Sequence, residues 1–159
     1  MNNPNQSEYR TVRGYEIANQ RENRLTPAME DYLEMACKLC LETGYTRVVK
    51  LSERLNVRPS SASKMISKLV AFGYLKYDAY ESIHLTDMGQ ETGAYLLHRH
   101  KILEQFLRLI GNVDPLQEAE LVEHSLKIPT ISKINILLGF FEDNPDVMNR
   151  YENYKKRFI

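Results

Sequence analysis

The feature that most constrains this sequence is a pair of short helical segments joined by a tight turn. The pattern predicts a helix over 49–55, a turn over 56–58 and a second helix from 59 to about 72. Apolar and polar residues then alternate over 74–78 and 82–85, as they do in the two strands of a hairpin. Helix, turn, helix and hairpin in this order predict a winged helix-turn-helix, an architecture typical of DNA-binding domains.

A further amphipathic helix is predicted before this unit. Thr26 can cap its first turn, Pro27 fits the first helical position, and Gly44 ends the helix. The apolar residues recur at helical spacing and form one buried stripe: Met29, Leu33, Ala36, Cys37 and Cys40. Both cysteines belong to that stripe, and the chain has no second pair, so we interpret them as buried apolar residues rather than zinc ligands or a redox pair.

The C-terminal half is predicted to be entirely helical. A long helix is predicted from Thr86 to about Ile110, and others begin near Pro115, Pro129 and Asp146. The long helix is apolar on more than one side, which predicts that it packs on its own core and on a partner chain.

The fold class is therefore mainly α: an N-terminal winged helix-turn-helix with a short β-hairpin, followed by an all-α domain. We expect a flexible N-terminal arm over 1–24, a DNA-binding domain over 25–90, and a helical dimerisation and metal-binding domain over 91–159.

Charge is unevenly distributed in a chain whose formal net charge is zero. Residues 45–80 hold seven basic and two acidic residues, whereas 112–126 hold four acidic residues and no Lys or Arg. The first segment would attract phosphate and the second would attract cations. No apolar run approaches the ~20 residues that cross a bilayer, and no signal peptide is evident. We expect a soluble, cytoplasmic protein that does not bind membranes.

The second helix of the helix-turn-helix carries the candidate DNA contacts. Its hydroxyl and basic side chains can donate hydrogen bonds to phosphate or base edges, and the candidates are Arg58, Ser60, Ser61, Ser63, Lys64 and Lys68. The alternative for any one of them is structural: Ser60 could be a helix cap, and the lysines could be merely solvated.

Acidic and imidazole side chains form a candidate metal site. Glu120, Glu123 and His124 are spaced i, i+3 and i+4, which predicts one shared helix face. Asp31 and Glu34 lie one turn apart on the first helix, and the candidate set is completed by His100. Carboxylates and imidazoles on facing helices hold divalent ions in helical bundles. The alternatives are a solvated acidic face, and acids favoured by a helix dipole. His84 and His98 are left out of the site.

Five segments resemble the diphtheria-toxin-repressor family of metal-dependent transcription regulators, in particular its branch of manganese transport regulators. They are LTPAMEDYLE, VRPSSASKMISKL, LTDMGQETG, HRHKILEQFL and EAELVEH. The resemblance implies a binuclear site. One ion would be held by Asp31, Glu120, Glu123 and His124, and the other by Glu34, His100, Glu120 and Glu123. Iron-responsive relatives carry Met and Cys where this chain has Asp31 and Glu120.

The ligand types favour Mn²⁺, because carboxylates and imidazoles without thiolate or thioether suit hard cations. Other divalent transition metals could also bind, since raw affinity favours Zn²⁺ and Cu²⁺. The resemblance implies a manganese-responsive regulator, in particular a repressor of metal-uptake genes, that binds an inverted repeat in double-stranded DNA as a metal-loaded homodimer.

Two other classes of function fit parts of the sequence. The alternative is a winged-helix regulator that responds to a non-metal ligand or a protein partner. A dinuclear metalloenzyme is disfavoured, because each candidate residue is used as a ligand and none is left as a nucleophile paired with a base. We therefore expect neither enzymatic activity nor a small organic substrate.

Overall fold

The computed structural model describes residues 25–158, so the predicted arm over 1–24 lies outside the described residues. Seven α-helices and two strands follow one another within this range. In chain order they are α1 (Pro27–Thr43), α2 (Val48–Arg54), α3 (Pro59–Ala71), β1 (Leu75–Tyr77), β2 (Ile83–Leu85), α4 (Asp87–Ile110), α5 (Pro115–Val122), α6 (Ile128–Asp143) and α7 (Pro145–Lys155). A 3₁₀ turn over Glu123–Ser125 follows α5.

The predicted fold class is confirmed: a winged helix-turn-helix precedes a helical region. The described chain divides into two compact units, one ending at Ala94 and the other beginning at Tyr95, so the boundary falls within α4. Within residues 25–158, none of the helices has both the length and the apolar character to span a membrane.

In the first unit, helix α1 begins and ends where the sequence predicts. The Thr26 hydroxyl accepts a hydrogen bond from the Met29 N–H at 3.3 Å, and Pro27 occupies the first turn. Gly44 adopts a φ of 83°, a left-handed conformation that glycine accepts without strain, and its N–H donates to the Cys40 carbonyl. The predicted apolar stripe is buried, neither cysteine forms a disulfide, and burial raises the pKa of both thiols.

The helix-turn-helix turns at Asn56, whose φ of 53° reverses the chain between α2 and α3. Strands β1 and β2 pair antiparallel, with Leu75 opposite Leu85. The strands are shorter than predicted, and Thr46 adds a bridge that the sequence did not predict, exchanging two backbone hydrogen bonds with Ile83. That bridge ties the segment before α2 to the wing.

The second unit has its own apolar core. It is formed by side chains of α4, α5 and α6, namely Ile102, Leu103, Leu107, Leu109, Ala119, Ile131 and Leu138. Helix α7 is held to α4 by Lys155, whose Nζ donates to the Leu109 carbonyl at 2.8 Å.

Most apolar residues of α4 are buried or half-buried in this single chain, whereas α6 exposes Ile136, Leu137 and Phe140. The apolar surface available to a partner is therefore more extensive on α6 than on the long helix.

Candidate metal centre and nucleic-acid interface

The centre of the acidic cluster is a buried carboxylate. Glu123 is 1% exposed, and its Oε2 lies 2.8 Å from Nδ1 of His100, a side chain projecting from α4. An ionised carboxylate only accepts hydrogen bonds, so Nδ1 of His100 carries the proton and donates. A cation held by both groups would take the place of this proton, so that the imidazole nitrogen and the carboxylate bind it together.

His124 follows Glu123 in the 3₁₀ turn and has a basic neighbour. Its Nδ1 lies 3.3 Å from Nη2 of Arg99, and its Nε2 lies 3.7 Å from Oε1 of Glu123. The structure thus gathers two imidazoles, a carboxylate and a guanidinium within the second unit. Three of these four groups are predicted ligands, and the fourth, Arg99, was not singled out from the sequence.

Glu120 does not share this environment. Helix α5 ends at Val122 and a 3₁₀ turn follows it; Glu123 in this turn is buried, whereas Glu120 is exposed. The three predicted ligands therefore do not all lie on one α-helix: Glu120 belongs to α5, and Glu123 and His124 belong to the 3₁₀ turn that follows it. A tightened last turn of this kind is common at helix C-termini, and the i, i+3, i+4 spacing does not reveal it.

The other two predicted ligands lie on α1, in the first unit. Asp31 is half-buried, whereas Glu34 is 7% exposed and forms an ion pair with Lys38 at 2.9 Å, one turn further along the helix. The six predicted ligands offer carboxylate oxygens and imidazole nitrogens only. This donor chemistry, with a buried carboxylate already bound to an imidazole, fits a hard divalent cation.

The predicted DNA-contact residues all lie on the exposed surface. Helix α3 buries Ala62, Ile66 and Leu69 and directs its polar side opposite to them. The exposed candidates are Arg58, Ser60, Ser61, Ser63, Lys64 and Lys68. The alternative that Ser60 caps the helix is wrong, because the N-cap position belongs to Arg58 and Pro59 occupies the first turn. Ser60 is therefore available to a ligand.

A groove of about 430 Å³ lies beside this surface within the first unit. Ser63 of α3, Arg47 before α2 and Tyr77 of β1 contribute to its walls, together with Val48, Val49 and Glu81. Arg47 and Tyr77 were not among the predicted contacts, although Arg47 belongs to the basic segment. Their proximity to Ser63 arises from the pairing of the wing with the chain before α2, which no local pattern predicts.

The tip of the wing is organised by one carboxylate. Oδ1 of Asp78 accepts hydrogen bonds from the Tyr80 and Ser82 N–H groups, each at 2.8 Å, and Oδ2 lies 3.0 Å from Nε2 of His84. The His84 hydrogen bond, supported by the two backbone donors, lowers the pKa of Asp78 to about 2. His84, which was left out of the metal site, thus has a partner within the wing.

Comparisons with known proteins identify the family. A model described as the iron dependent repressor N-terminal DNA binding domain matches residues 24–83. A second, described as the iron dependent repressor metal binding and dimerisation domain, matches residues 86–151. The HTH-type transcriptional regulator MntR of Lysinibacillus sphaericus is 42% identical over 133 residues, covering 82% of this chain and 95% of the relative.

Solved structures agree with these matches. The manganese regulator SloR superposes with a TM-score of 0.65 at 25% identity, over 73% of this chain and 55% of that one. A manganese-dependent transcriptional repressor in complex with manganese gives a TM-score of 0.63 at 29% identity, over 70% and 53%. This chain thus spans about half the length of these solved chains.

The matches cover both units of the chain with domains that bind DNA, bind metal and dimerise. The relatives are named as transcriptional regulators, which confirms the prediction of a regulator rather than an enzyme. The matches do not favour the alternative of a regulator that responds to a non-metal ligand or a protein partner. The chain belongs to the iron dependent repressor family, the diphtheria-toxin-repressor family that its motifs resemble.

Proposed function

We propose that this chain is a manganese-responsive transcriptional repressor that binds an inverted repeat as a metal-loaded homodimer. The observation that carries the proposal is the buried Glu123 carboxylate hydrogen-bonded to His100, because this pair presents a hard anionic ligand beside an oriented imidazole. A buried carboxylate is costly unless a cation or donor compensates it. Relatives named MntR and neighbours described as manganese regulators support the choice of Mn²⁺.

The proposed ligand set comprises the six residues predicted from the sequence. We propose that Asp31, Glu120, Glu123 and His124 bind one ion, and that Glu34, His100, Glu120 and Glu123 bind a second. The absence of thiolate and thioether groups from this set favours Mn²⁺ over softer metals. To bind the ion, the Glu34 carboxylate would give up its ion pair with Lys38. The exposed Glu120 side chain would have to turn toward the ion.

The proposed activation mechanism follows from the division of the ligands between α1 and the second unit. A bound cation supplies positive charge that several carboxylates can share. Asp31 and Glu34 belong to the DNA-binding unit, while Glu123 and His124 belong to the unit whose family model includes dimerisation. Ligands from both units around one cation would hold the two DNA-binding domains of a dimer at one spacing, and a twofold dimer needs that spacing to match half-sites on DNA.

The proposed DNA contact is the exposed side of α3, with Lys64 and Lys68 toward phosphates and the serines toward phosphates or base edges.

The proposed dimer surface includes the exposed apolar residues of α6, Ile136, Leu137 and Phe140. Neither surface requires any residue of the proposed metal site.

The test is selection of DNA from a random duplex library by chelator-treated protein, with and without added MnCl₂. We expect an inverted repeat to be enriched in the presence of Mn²⁺ and no enrichment without it. Equal enrichment in both conditions would reject metal dependence, and enrichment of a single half-site would reject the twofold complex.

A matched pair of variants separates the metal site from the fold. Glu120 and Glu142 are both exposed glutamates of the second unit, so replacing either with Ala should affect folding little. We expect Glu120→Ala to lose bound manganese, measured by elemental analysis, and Mn²⁺-dependent binding of the selected DNA. Glu142→Ala should retain both. Equal metal content in the two variants would exclude Glu120 as a ligand.

A further inference from the structure

Glu81 is an acidic residue at the edge of the surface that we propose for DNA. It lines the groove beside α3, together with Ser63, Arg47 and Tyr77. Ser63 also belongs to the exposed side of α3, so a duplex seated on that side would extend over the groove. A carboxylate repels the phosphates of such a duplex, so its position beside the proposed DNA contacts requires a physical reason.

The wing holds Glu81 in a defined backbone conformation. Its φ is 59°, a left-handed value that a non-glycine residue seldom adopts. The Asp78 carboxylate accepts hydrogen bonds from the N–H groups on either side, those of Tyr80 and Ser82. The Glu81 N–H itself donates to the Asp78 carbonyl at 3.2 Å. These hydrogen bonds fix the point from which the Glu81 side chain leaves the wing.

The Glu81 carboxylate lies near a second wall of the groove, formed by Tyr77 of β1. Burial raises the pKa of the Tyr77 hydroxyl, and the negative charge of Glu81 raises it further. Arg47, at the N-cap of α2, is exposed and forms another part of the wall. The groove therefore presents both an anion and a cation to a molecule that enters it.

The part of a duplex that can bind a carboxylate is the edge of a base. Phosphates repel a carboxylate, whereas the exocyclic amino group of a base donates a hydrogen bond, and Glu pairs with the amino group of cytosine in this way. Arg47 can bind a phosphate in the same groove. The two charges together favour one placement of a DNA strand, with a phosphate toward Arg47 and a base edge toward Glu81.

We propose that Glu81 is a specificity-determining residue for DNA, which accepts a hydrogen bond from a base amino group and repels the backbone of duplexes that offer none. Its charge lowers the affinity for DNA in general. Its hydrogen bond restores affinity at sites that place an amino group in the groove. Glu81 thus widens the difference in affinity between the selected inverted repeat and other DNA. This inference rests on the proposed contact of α3 with that repeat.

The test replaces Glu81 with Gln, which removes the charge and keeps the shape. Parent and variant select duplexes from one random library with MnCl₂ at a single salt concentration. We expect Glu81→Gln to change the preferred base at one position in each half-site, because an amide suits adenine, whose edge offers a donor and an acceptor.

Fluorescence anisotropy then compares affinities for the duplex that the parent selects and for a duplex of random sequence. We expect Glu81→Gln to bind the random duplex more tightly than the parent does. The ratio of the two affinities should fall about tenfold for each half-site, the order of magnitude that one mismatched base pair costs.

The matched control is Glu42→Gln. Glu42 is an exposed glutamate of α1 in the same unit and does not line the groove, so its replacement should change neither the selected sequence nor the affinity for random DNA. Glu81→Asn is a second variant for the case in which Gln distorts the wing, because Asn adopts a positive φ more readily. It should also bind random DNA more tightly and lower the affinity ratio.

Two results would overturn the inference. Identical selected sequences for the parent and both Glu81 variants would show that no base contact depends on the carboxylate. Weaker binding of random DNA by both variants would make Glu81 a support of the wing rather than a repulsive charge. If the parent itself enriches no sequence, the proposed function fails instead, so the two failures are distinguishable.

Discussion

The substitution Gly93→Ala tests how closely α4 approaches α1. A Cβ built on Gly93 would lie 2.8 Å from Cβ and 2.9 Å from Sγ of Cys37. Both distances are shorter than carbon and sulfur atoms tolerate, and the Cβ of Cys37 is fixed to its backbone. A methyl group at position 93 therefore requires the two helices to move apart.

Two opposing contributions determine the size of the effect. Replacing a helical glycine by alanine favours the helix by about 1 kcal/mol. Adding a methyl group to a close-packed contact costs roughly 1–3 kcal/mol. Because the obstruction is backbone-anchored and cannot rotate away, we expect the packing cost to lie at the upper end of its range, about 2–3 kcal/mol, and the free energy of unfolding to fall by about 1–2 kcal/mol.

Gly139→Ala is the matched control, because Gly139 also lies in a helix and a Cβ there meets no described atom within 4 Å. The higher helix propensity of alanine is not offset there by a steric conflict, so the free energy of unfolding should rise by about 0.5–1 kcal/mol. Both variants are measured by urea unfolding followed by circular dichroism. If Gly93→Ala stabilises the protein as Gly139→Ala does, the reasoning about the α1–α4 contact is refuted.

Three further predictions concern the first unit. The Asp78 carboxyl should titrate by NMR with a pKa of about 2. Because this folded-state pKa lies below the ordinary Asp value of ~3.9, the carboxylate should stabilise the fold above pH ~3.9, and this stabilisation should be lost as the pH falls through about 2. Asp78→Asn should abolish that pH dependence. The double variant Lys64→Ala, Lys68→Ala should reduce the slope of log K for DNA binding against log salt concentration by about 3–4 per dimer, since two protomers lose four phosphate contacts. An unchanged slope would exclude α3 as the contact helix. Cys37 and Cys40 should react with a thiol reagent only after unfolding, because burial raises the pKa of both thiols; rapid modification of the native protein would contradict their burial.

Local signals in the sequence predict the helix boundaries well. Thr26, Pro27 and Gly44 define α1 because capping and left-handed turns depend on a few neighbouring residues. The apolar stripe containing Cys37 is equally local, since helical spacing alone places its members on one side. The structure confirms these predictions because nothing distant competes with them.

Long-range contacts are where prediction from the sequence fails. The Thr46–Ile83 bridge joins residues that are far apart in the chain, so no spacing rule indicates it. Glu120 is exposed and Glu123 is buried although they lie three residues apart, and α5 ends between them at Val122, where the sequence has neither a glycine nor a proline. Arg99 reads as an ordinary charged residue of a long helix until its burial beside His124 is seen.

Two of the groups that we propose as ligands have hydrogen-bond partners within the chain, and this bears on how a metal could act. Glu123 accepts from His100, and His124 accepts from Arg99, so a cation must exchange these contacts rather than fill an empty space. Only the difference between the old and new contacts can then shift the conformational equilibrium. Moving a population from 1:99 to 99:1 requires roughly 5.5 kcal/mol of differential binding. Hydrogen bonds to charged groups contribute roughly 1.5–3 kcal/mol each, so these contacts are comparable to that difference and would oppose the proposed binding of a cation.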